Sequence, residues 1–369
     1  MYRLLRTLLF LLPPERAHAL GTGFLALLGR WPWLCRRLRR GALRLPARAR
    51  PLDLTVRSAR LTFAHPVAVA AGLDKDAHAV AGLFALGFAA VEVGTVTPRP
   101  QVGNPAPRLF RLPEHGALIN RLGFNNAGAE AAAARLRAAP WRPGPVGVNV
   151  GKNRDTPLER AADDYLSCTG ALAPLADYLV VNASSPNTPG LRQLQEPERL
   201  AALLRGVRSR LDAVAPGKPL FLKIAPDLGA EAVDAVVDVA LAAGADGLIA
   251  TNTTITRPFA HPFARQEGGL SGRPLRRLAA ETLRRAARRA EGRLALWGAG
   301  GVATAEDVYE RIRAGASVVQ LYTALVFEGP GLVHALLEGL EELLRRDGFS
   351  RLEDAVGMDL GRHRAVGGS

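Results

Sequence analysis

From residue 66 onward the chain alternates short apolar runs with longer stretches in which apolar residues recur at helical spacing. The runs are Val67–Gly72, Ala89–Thr97, Val146–Gly151, Tyr178–Ser184, Leu220–Ala225, Gly247–Thr253, Leu294–Gly300 and Ser317–Thr323. Most are rich in Val, Ile and Leu, and each is followed by an amphipathic pattern of helical length. Eight such units predict an α/β protein folded as a parallel (β/α)8 barrel, a TIM barrel. An open doubly wound sheet is the alternative. It would use fewer strands and a crossover reversal, and no GxGxxG follows the first run.

The N-terminal segment is patterned differently. Leu5, Leu8, Leu9 and Leu12, then Leu20, Phe24, Leu27, Leu28 and Trp31, each trace one apolar stripe on a helix. Pro13-Pro14 ends the first stripe and Pro32 limits the second. Neither run reaches the roughly 20 apolar residues that a membrane span requires. A secretory signal fits poorly, because Arg16, His18 and Arg30 interrupt the apolar runs and no small-residue cleavage site follows. The predicted organisation is a helical membrane-associating segment over 1–45, the barrel over 46–346 and a tail over 347–369.

Charge sharpens the picture of that segment. The formal net charge is +14, and residues 1–60 hold thirteen arginines against two acids. Arg36, Arg37, Arg39, Arg40 and Arg44 directly follow the second stripe. Apolar helices beside an arginine cluster suit a peripheral anchor on an anionic membrane, each Arg adding about 1 kcal/mol. Helices packed on their own core, with a solvated basic linker, are the blander alternative. Nucleic acid is disfavoured, since no aromatic interleaving or known binding module accompanies the charge. Of the rest, 48% hydrophobic content allows a large core. Cys35 and Cys168 lie outside any metal or CxxC spacing, so neither a disulfide framework nor structural zinc is expected.

Candidate chemistry gathers at the carboxyl ends of the apolar runs, the face on which barrel active sites are built. There stand Asp74-Lys75, Thr95, Asn149, Asn182 to Asn187, Lys223, Thr251-Asn252-Thr253, Gly298 to Gly301 and Tyr322-Thr323. The densest stretch is Asn182 to Arg192, where two amides flank Ser184-Ser185. A plain turn needs Asn, Ser, Pro and Gly, but not that pairing; a site for a flat polar heterocycle does. The long connection from Thr97 to Val146 predicts a lid or substrate subsite. The glycines at 298–301, with Gly268 to Gly272, can bring backbone N–H groups to a phosphate. Amides, hydroxyls and the lysines at 75, 152 and 223, without a cluster of His or carboxylates for a metal, suit FMN beside a small anionic substrate. Lys223 ends an apolar strand, so its ammonium should face an anion or an electron-rich ring.

These residues carry a resemblance. Ala70-Ala71-Gly72-Leu73-Asp74-Lys75, Gly94 to Pro98, Asn120 to Asn125, Asn182 to Arg192 and Ala250 to Thr254 match, in order and spacing, the class 2, quinone-dependent dihydroorotate dehydrogenases. The likeness runs from Pro14 to about Gly329. It implies oxidation of (S)-dihydroorotate to orotate in pyrimidine (UMP) synthesis, with hydride transfer to FMN and re-oxidation by a membrane quinone. FMN contacts would come from Ala70, Ala71, Gly72, Leu73, Asp74, Thr95, Asn149, Asn182, Lys223, Thr251, Ser271, Gly272, Gly301, Tyr322 and Thr323. Substrate contacts would come from Lys75, Asn120, Arg121, Leu122, Gly123, Phe124, Asn182, Asn187, Asn252 and Thr253. Ser185 would be the catalytic base, where soluble relatives carry Cys, with Thr188 and the surroundings of Phe124 as a proton exit. His18, Arg111 and Tyr322 would lie near the quinone. The class further implies a monomer, peripheral on the cytoplasmic side of the bacterial inner membrane.

Two other functions compete. A hydroxy-acid oxidase on an FMN barrel would offer a His base and an Arg clamp at strand ends, which this chain lacks. A non-catalytic basic binding protein would use the arginine-rich segment alone.

Overall fold

The computed structural model describes residues 2–45 and 52–361. The boundary expected at 45/46 therefore adjoins undescribed residues, and 362–369 of the expected tail lie outside the description. Eight parallel strands close into a barrel in the predicted order: Val67–Val69, Ala90–Val96, Val146–Val150, Tyr178–Asn182, Leu220–Ile224, Gly247–Ala250, Ala295–Ala299 and Val318–Leu321. The eighth strand pairs back onto the first, Val319 opposite Val67 and Leu321 opposite Val69. Each strand is shorter than its apolar run.

Interior side chains fill the barrel in layers. Near its amino-terminal mouth Trp297 is fully buried, 4.8 Å from the Tyr178 ring, 4.2 Å from Phe221 and 5.5 Å from Phe63. Glycines on neighbouring strands make this space: a Cβ at Gly147 would lie 2.0 Å from the Tyr178 ring, and one at Gly247 would lie 2.3 Å from Phe221. A short hairpin, Val56–Ser58 with Leu61–Phe63, closes that mouth, and Trp297 Nε1 donates to Ser58 Oγ at 2.9 Å. Residues 347–361 also pack there. Leu352 N donates to Asp53 O, and Gly357 N donates to Ile312 O on the outer helix Ala305–Arg313.

The N-terminal segment forms three helices, α1 (Tyr2–Leu11), α2 (Pro14–Leu28) and α3 (Pro32–Ala42). Each proline that was expected to end a helix also opens the next one, at the position where a missing N–H is harmless. Arg36, Arg37, Arg39 and Arg40 of the arginine cluster are therefore helical, and only Arg44 of that cluster lies beyond α3. Arg39 departs from its expected role. It is buried and donates to the carbonyls of Phe84 at 3.0 Å and Phe88 at 2.6 Å, capping the barrel helix Val80–Ala85. α2 crosses that helix so closely that a Cβ on Gly82 would lie 2.2 Å from Leu25 O. α1 is held by Tyr2 Oη and Arg6 Nη1, each 2.8 Å from a carbonyl of the helix Thr323–Glu328. Outward, Leu4, Leu8, Leu11, Leu20, Phe24 and Trp33 remain exposed. Among the described residues no helix is long and apolar enough to cross a membrane.

Candidate functional site

The floor of the site is a polar layer inside the barrel, above the aromatic one. Glu92, an acid in the second apolar strand, has no exposed surface. Its carboxylate accepts from Asn149 Nδ2 at 2.9 Å and Gln320 Nε2 at 2.5 Å, and lies 3.7 Å from Lys223 Nζ. Asn149 Oδ1 in turn accepts from Thr95 Oγ1 at 2.5 Å and Asn182 Nδ2 at 3.1 Å. Five strand ends are thereby locked to one carboxylate. The signal was present in the sequence, since Glu and Gln are out of place in runs of Val and Leu, but sequence reasoning passed over Glu92 and Gln320.

Above this floor opens a cavity with about 1060 Å³ of unfilled space, which includes open solvent. Its walls include Ala70, Ala71, Gly72, Thr95, Asn182, Lys223, Thr251, Ser271, Gly272, Gly301, Tyr322 and Thr323 from the expected cofactor set. Lys75, Asn120, Leu122, Gly123, Phe124, Asn187, Asn252 and Thr253 from the expected substrate set line the same space, as does Ser185.

Five residues expected to line the pocket do not. Leu73 is buried in the core. The Asp74 carboxylate turns back to accept from the backbone of His78 at 2.9 Å and Ala79 at 2.7 Å. Asn149 lies beneath the wall and orients it. Arg121 points outward to Gln266 Oε1 and Pro107 O and stacks over Phe110. Lys152 is held by the carbonyls of Asn153 and Thr156.

The long connection, expected to form a lid or substrate subsite, reaches the cavity through an element the sequence did not reveal. Leu109–Leu112 and Ala117–Asn120 form an antiparallel hairpin, and Gly269–Gly272 from the sixth-strand loop adds a third strand. Leu109 and Leu118 thus reach the cavity wall. Arg192 ties the loops together: it bonds Ser184 O at 3.0 Å, Thr253 O at 3.1 Å and the Asp227 carboxylate at 2.9 Å.

The asparagines are set with their amides oriented. Asn187 Nδ2 donates to Asn120 Oδ1 at 3.0 Å, and Asn187 Oδ1 is buried without a hydrogen bond among the described residues. Asn252 Nδ2 donates to Ser184 Oγ at 3.0 Å and Asn182 Oδ1 at 3.2 Å. Ser185 Oγ accepts from Asn187 N at 3.2 Å, a bond that favours a deprotonated oxygen. Thr188 Oγ1, close by in sequence, is buried and has no hydrogen-bond partner among the described residues. Enclosure by protein lowers Lys75 to about 8, with Asp76 and Glu15 opposing the fall. His18, on α2, is pulled down to about 4 by burial and by the charge of Lys75. Among the described residues no group of His, Cys and acids could hold a metal.

Residues 53–344 match the family model for dihydroorotate dehydrogenase. The chain belongs to the dihydroorotate dehydrogenase family. It is 63% identical to a dihydroorotate dehydrogenase (quinone) of Myxococcus xanthus over 367 residues, covering 100% of this chain and 99% of that one. A second relative with that name, from Anaeromyxobacter, is 56% identical, with 96% of each chain covered. Among solved structures, a DHODH of Eimeria tenella in complex with ferulenol superposes with a TM-score of 0.83 at 38% identity, over 95% of this chain and 96% of that one. Dihydroorotate dehydrogenases are flavin-dependent, and the cavity fits such a group. It joins glycine-lined backbone at Gly272 and Gly300–Gly301 to the buried Lys223, whose ammonium donates to Gln320 Oε1 at 3.4 Å.

Removing the floor's carboxylate leaves the Lys223 ammonium buried without its counter-charge. Glu92→Ala is expected to lower the unfolding free energy by about 3–5 kcal/mol. Urea denaturation checks this; a loss below ~1 kcal/mol contradicts the pairing.

Proposed function

We propose that this chain oxidises (S)-dihydroorotate to orotate with FMN as its flavin and passes the electrons to a membrane quinone, a step of UMP synthesis. The observation that carries the reading is the convergence of Ser185, Lys75 and the Asn120–Asn187 pair in one cavity floored by Lys223. FMN would be held by backbone at Ala70–Gly72, Gly272 and Gly301 and by Thr95, Asn182, Lys223, Thr251, Ser271, Tyr322 and Thr323. When bound, it supplies the two-electron acceptor.

The chain's own groups do the rest. The Lys75 ammonium pairs with the substrate carboxylate. Asn120 offers an amide N–H to a ring carbonyl, Asn187 Oδ1 accepts a ring N–H, and Asn252, whose own N–H groups are held by Ser184 and Asn182, lines the ring's side of the cavity. Hydrogen bonds to the C4 carbonyl stabilise charge that develops as C5 loses its proton. Ser185 Oγ takes that proton as it gives up its own hydroxyl proton to the outward relay, with the Asn187 N–H steadying the oxygen. Thr188 Oγ1, without a partner among the described residues, stands as the next carrier outward.

The N-terminal helices serve the second half-reaction. Phe10, Leu109, Leu118, Tyr322, Val326 and Phe327 form one apolar cluster that leads from the cavity wall to α1, with Arg111 4.5 Å above the Phe10 ring and His18 beside Lys75. An apolar quinone fits that route. The exposed leucines and aromatics of 1–45, with exposed Arg36, Arg37 and Arg40, would rest a monomer on the anionic cytoplasmic face of a cell membrane. Nothing in this charge pattern calls for nucleic acid. The barrel of 46–346 and the tail of 347–369 would remain outside the bilayer.

With dihydroorotate as donor, the protein is expected to reduce a short-chain quinone while leaving fumarate and NAD+ untouched. It should also float with anionic but not neutral vesicles. Turnover on NAD+ in place of quinone would reject the electron route. Ser185→Ala should keep its flavin and lose ~10²–10⁴-fold in turnover; stopped-flow rates of dihydroorotate oxidation near wild type would remove Ser185 as the base. Orotate affinity should fall as pH rises through about 8, because Lys75 sheds its proton there and the carboxylate loses its partner. Titration of orotate across that range tests this, and Lys75→Arg, which keeps its charge, should abolish the fall.

A further inference from the structure

Beneath the seventh-strand turn lies an arginine that the reaction as described never touches. Arg311 stands on the helix Ala305–Arg313 and has no exposed surface. Its stem fits under Gly298, where a Cβ would lie 3.2 Å from Arg311 Cβ. Arg311 Nη2 donates to the carbonyl of Arg276 at 2.6 Å and to that of Gly300 at 3.3 Å. Those carbonyls belong to the two segments, Gly272–Arg276 and Gly300–Gly301, that form the glycine-lined end of the cavity. The segments are pressed together: a Cβ on Gly301 would lie 2.2 Å from Arg276 Cα.

In a trans peptide the carbonyl and the following N–H point in opposite directions. Holding the Gly300 carbonyl from below therefore turns the Gly301 N–H up toward the cavity that Gly301 lines. Charge adds to this. Arg276 meets Asp307 at 2.7 Å and Glu310 at 3.2 Å, Arg284 meets Glu310 at 2.6 Å, and Arg311 Nη1 lies 3.4 Å from Glu310. The Arg311 guanidinium thus lies directly under the turn, at the inner end of a network of arginines and carboxylates. Arg311 Nε and Nη1 form no hydrogen bond among the described residues, so the guanidinium is not fully saturated by its neighbours.

We propose that Arg311 is a positioning residue for the flavin phosphate: it aims the Gly301 N–H at that anion and makes the pocket prefer FMN to riboflavin. This rests on the FMN reading above. The test uses apoprotein stripped of flavin, with FMN and riboflavin each titrated by quenching of flavin fluorescence. Arg311→Met should lose roughly tenfold or more in FMN affinity, the worth of one charge-assisted hydrogen bond, with riboflavin affinity little changed. Arg311→Lys, which keeps the charge, should retain most of the preference. Equal loss of both ligands, or an unchanged FMN-to-riboflavin ratio, overturns the proposal. Wild-type protein that binds neither flavin would instead overturn the FMN reading. Should Arg311→Met not fold, Glu310→Gln decides. Removing that half-buried carboxylate should tighten FMN binding at low salt without affecting riboflavin, and an unchanged ratio overturns the proposal.

Discussion

One carboxylate organises the upper half of this barrel. A buried charge without partners is too costly to persist, so Glu92 must be saturated by donors from neighbouring strands. Asn149, Gln320 and Lys223 supply them, and each is thereby held in a single orientation. Asn149 passes that orientation on to Thr95 and Asn182, which stand in the cavity wall. The polar layer divides the interior in two. Below it, Trp297, Tyr178 and Phe221 pack as a rigid plug; above it, the strand ends are free to differ in chemistry.

The loops over that floor are fixed by bonds of longer sequence range. Arg192 bridges the fourth and sixth strand loops, and the hairpin Leu109–Asn120 gains a third strand from Gly269–Gly272. The Asn120–Asn187 contact then spans hairpin and loop. The cavity-lining amides are thus positioned by backbone pairing and an ion pair rather than by their own rotamers. The N-terminal helices complete the enclosure. α2 brings Glu15 into a 2.9 Å pair with Arg108 and places His18 by Lys75, so the titration of the cavity lysine depends on a segment outside the barrel. These helices use one face and a few arginines to grip the barrel, which leaves their leucine-rich face uncovered.

The eight strands, their order and the site at their carboxyl ends were all legible in the chain. A period of two or a continuous apolar run, followed by a helical pattern, is a local signal, and barrel closure follows from its repetition. Catalytic and ligand-binding candidates were legible for the same reason, since hydroxyls, amides and lysines stand out against Val and Leu. What stayed hidden was direction. Arg121, Lys152, Asp74 and Arg39 have the right chemistry for a ligand or a membrane, yet each is satisfied by a neighbouring backbone or side chain. Glu92 and Arg311 stayed hidden in the opposite sense, as buried charges held by groups remote in sequence, Asn149, Lys223 and Gln320 for Glu92 and the carbonyls of Arg276 and Gly300 for Arg311.

Sequence by itself determined the strand count, the helical N-terminal segment and the set of groups able to meet a flavin and a pyrimidine, because these depend on residue type and spacing along the chain. Tertiary structure alone decided which of those groups point inward and which carry the scaffold. A polar side chain takes the nearest partner that folding brings to it, and partners tens or hundreds of residues away leave no periodic trace in the chain.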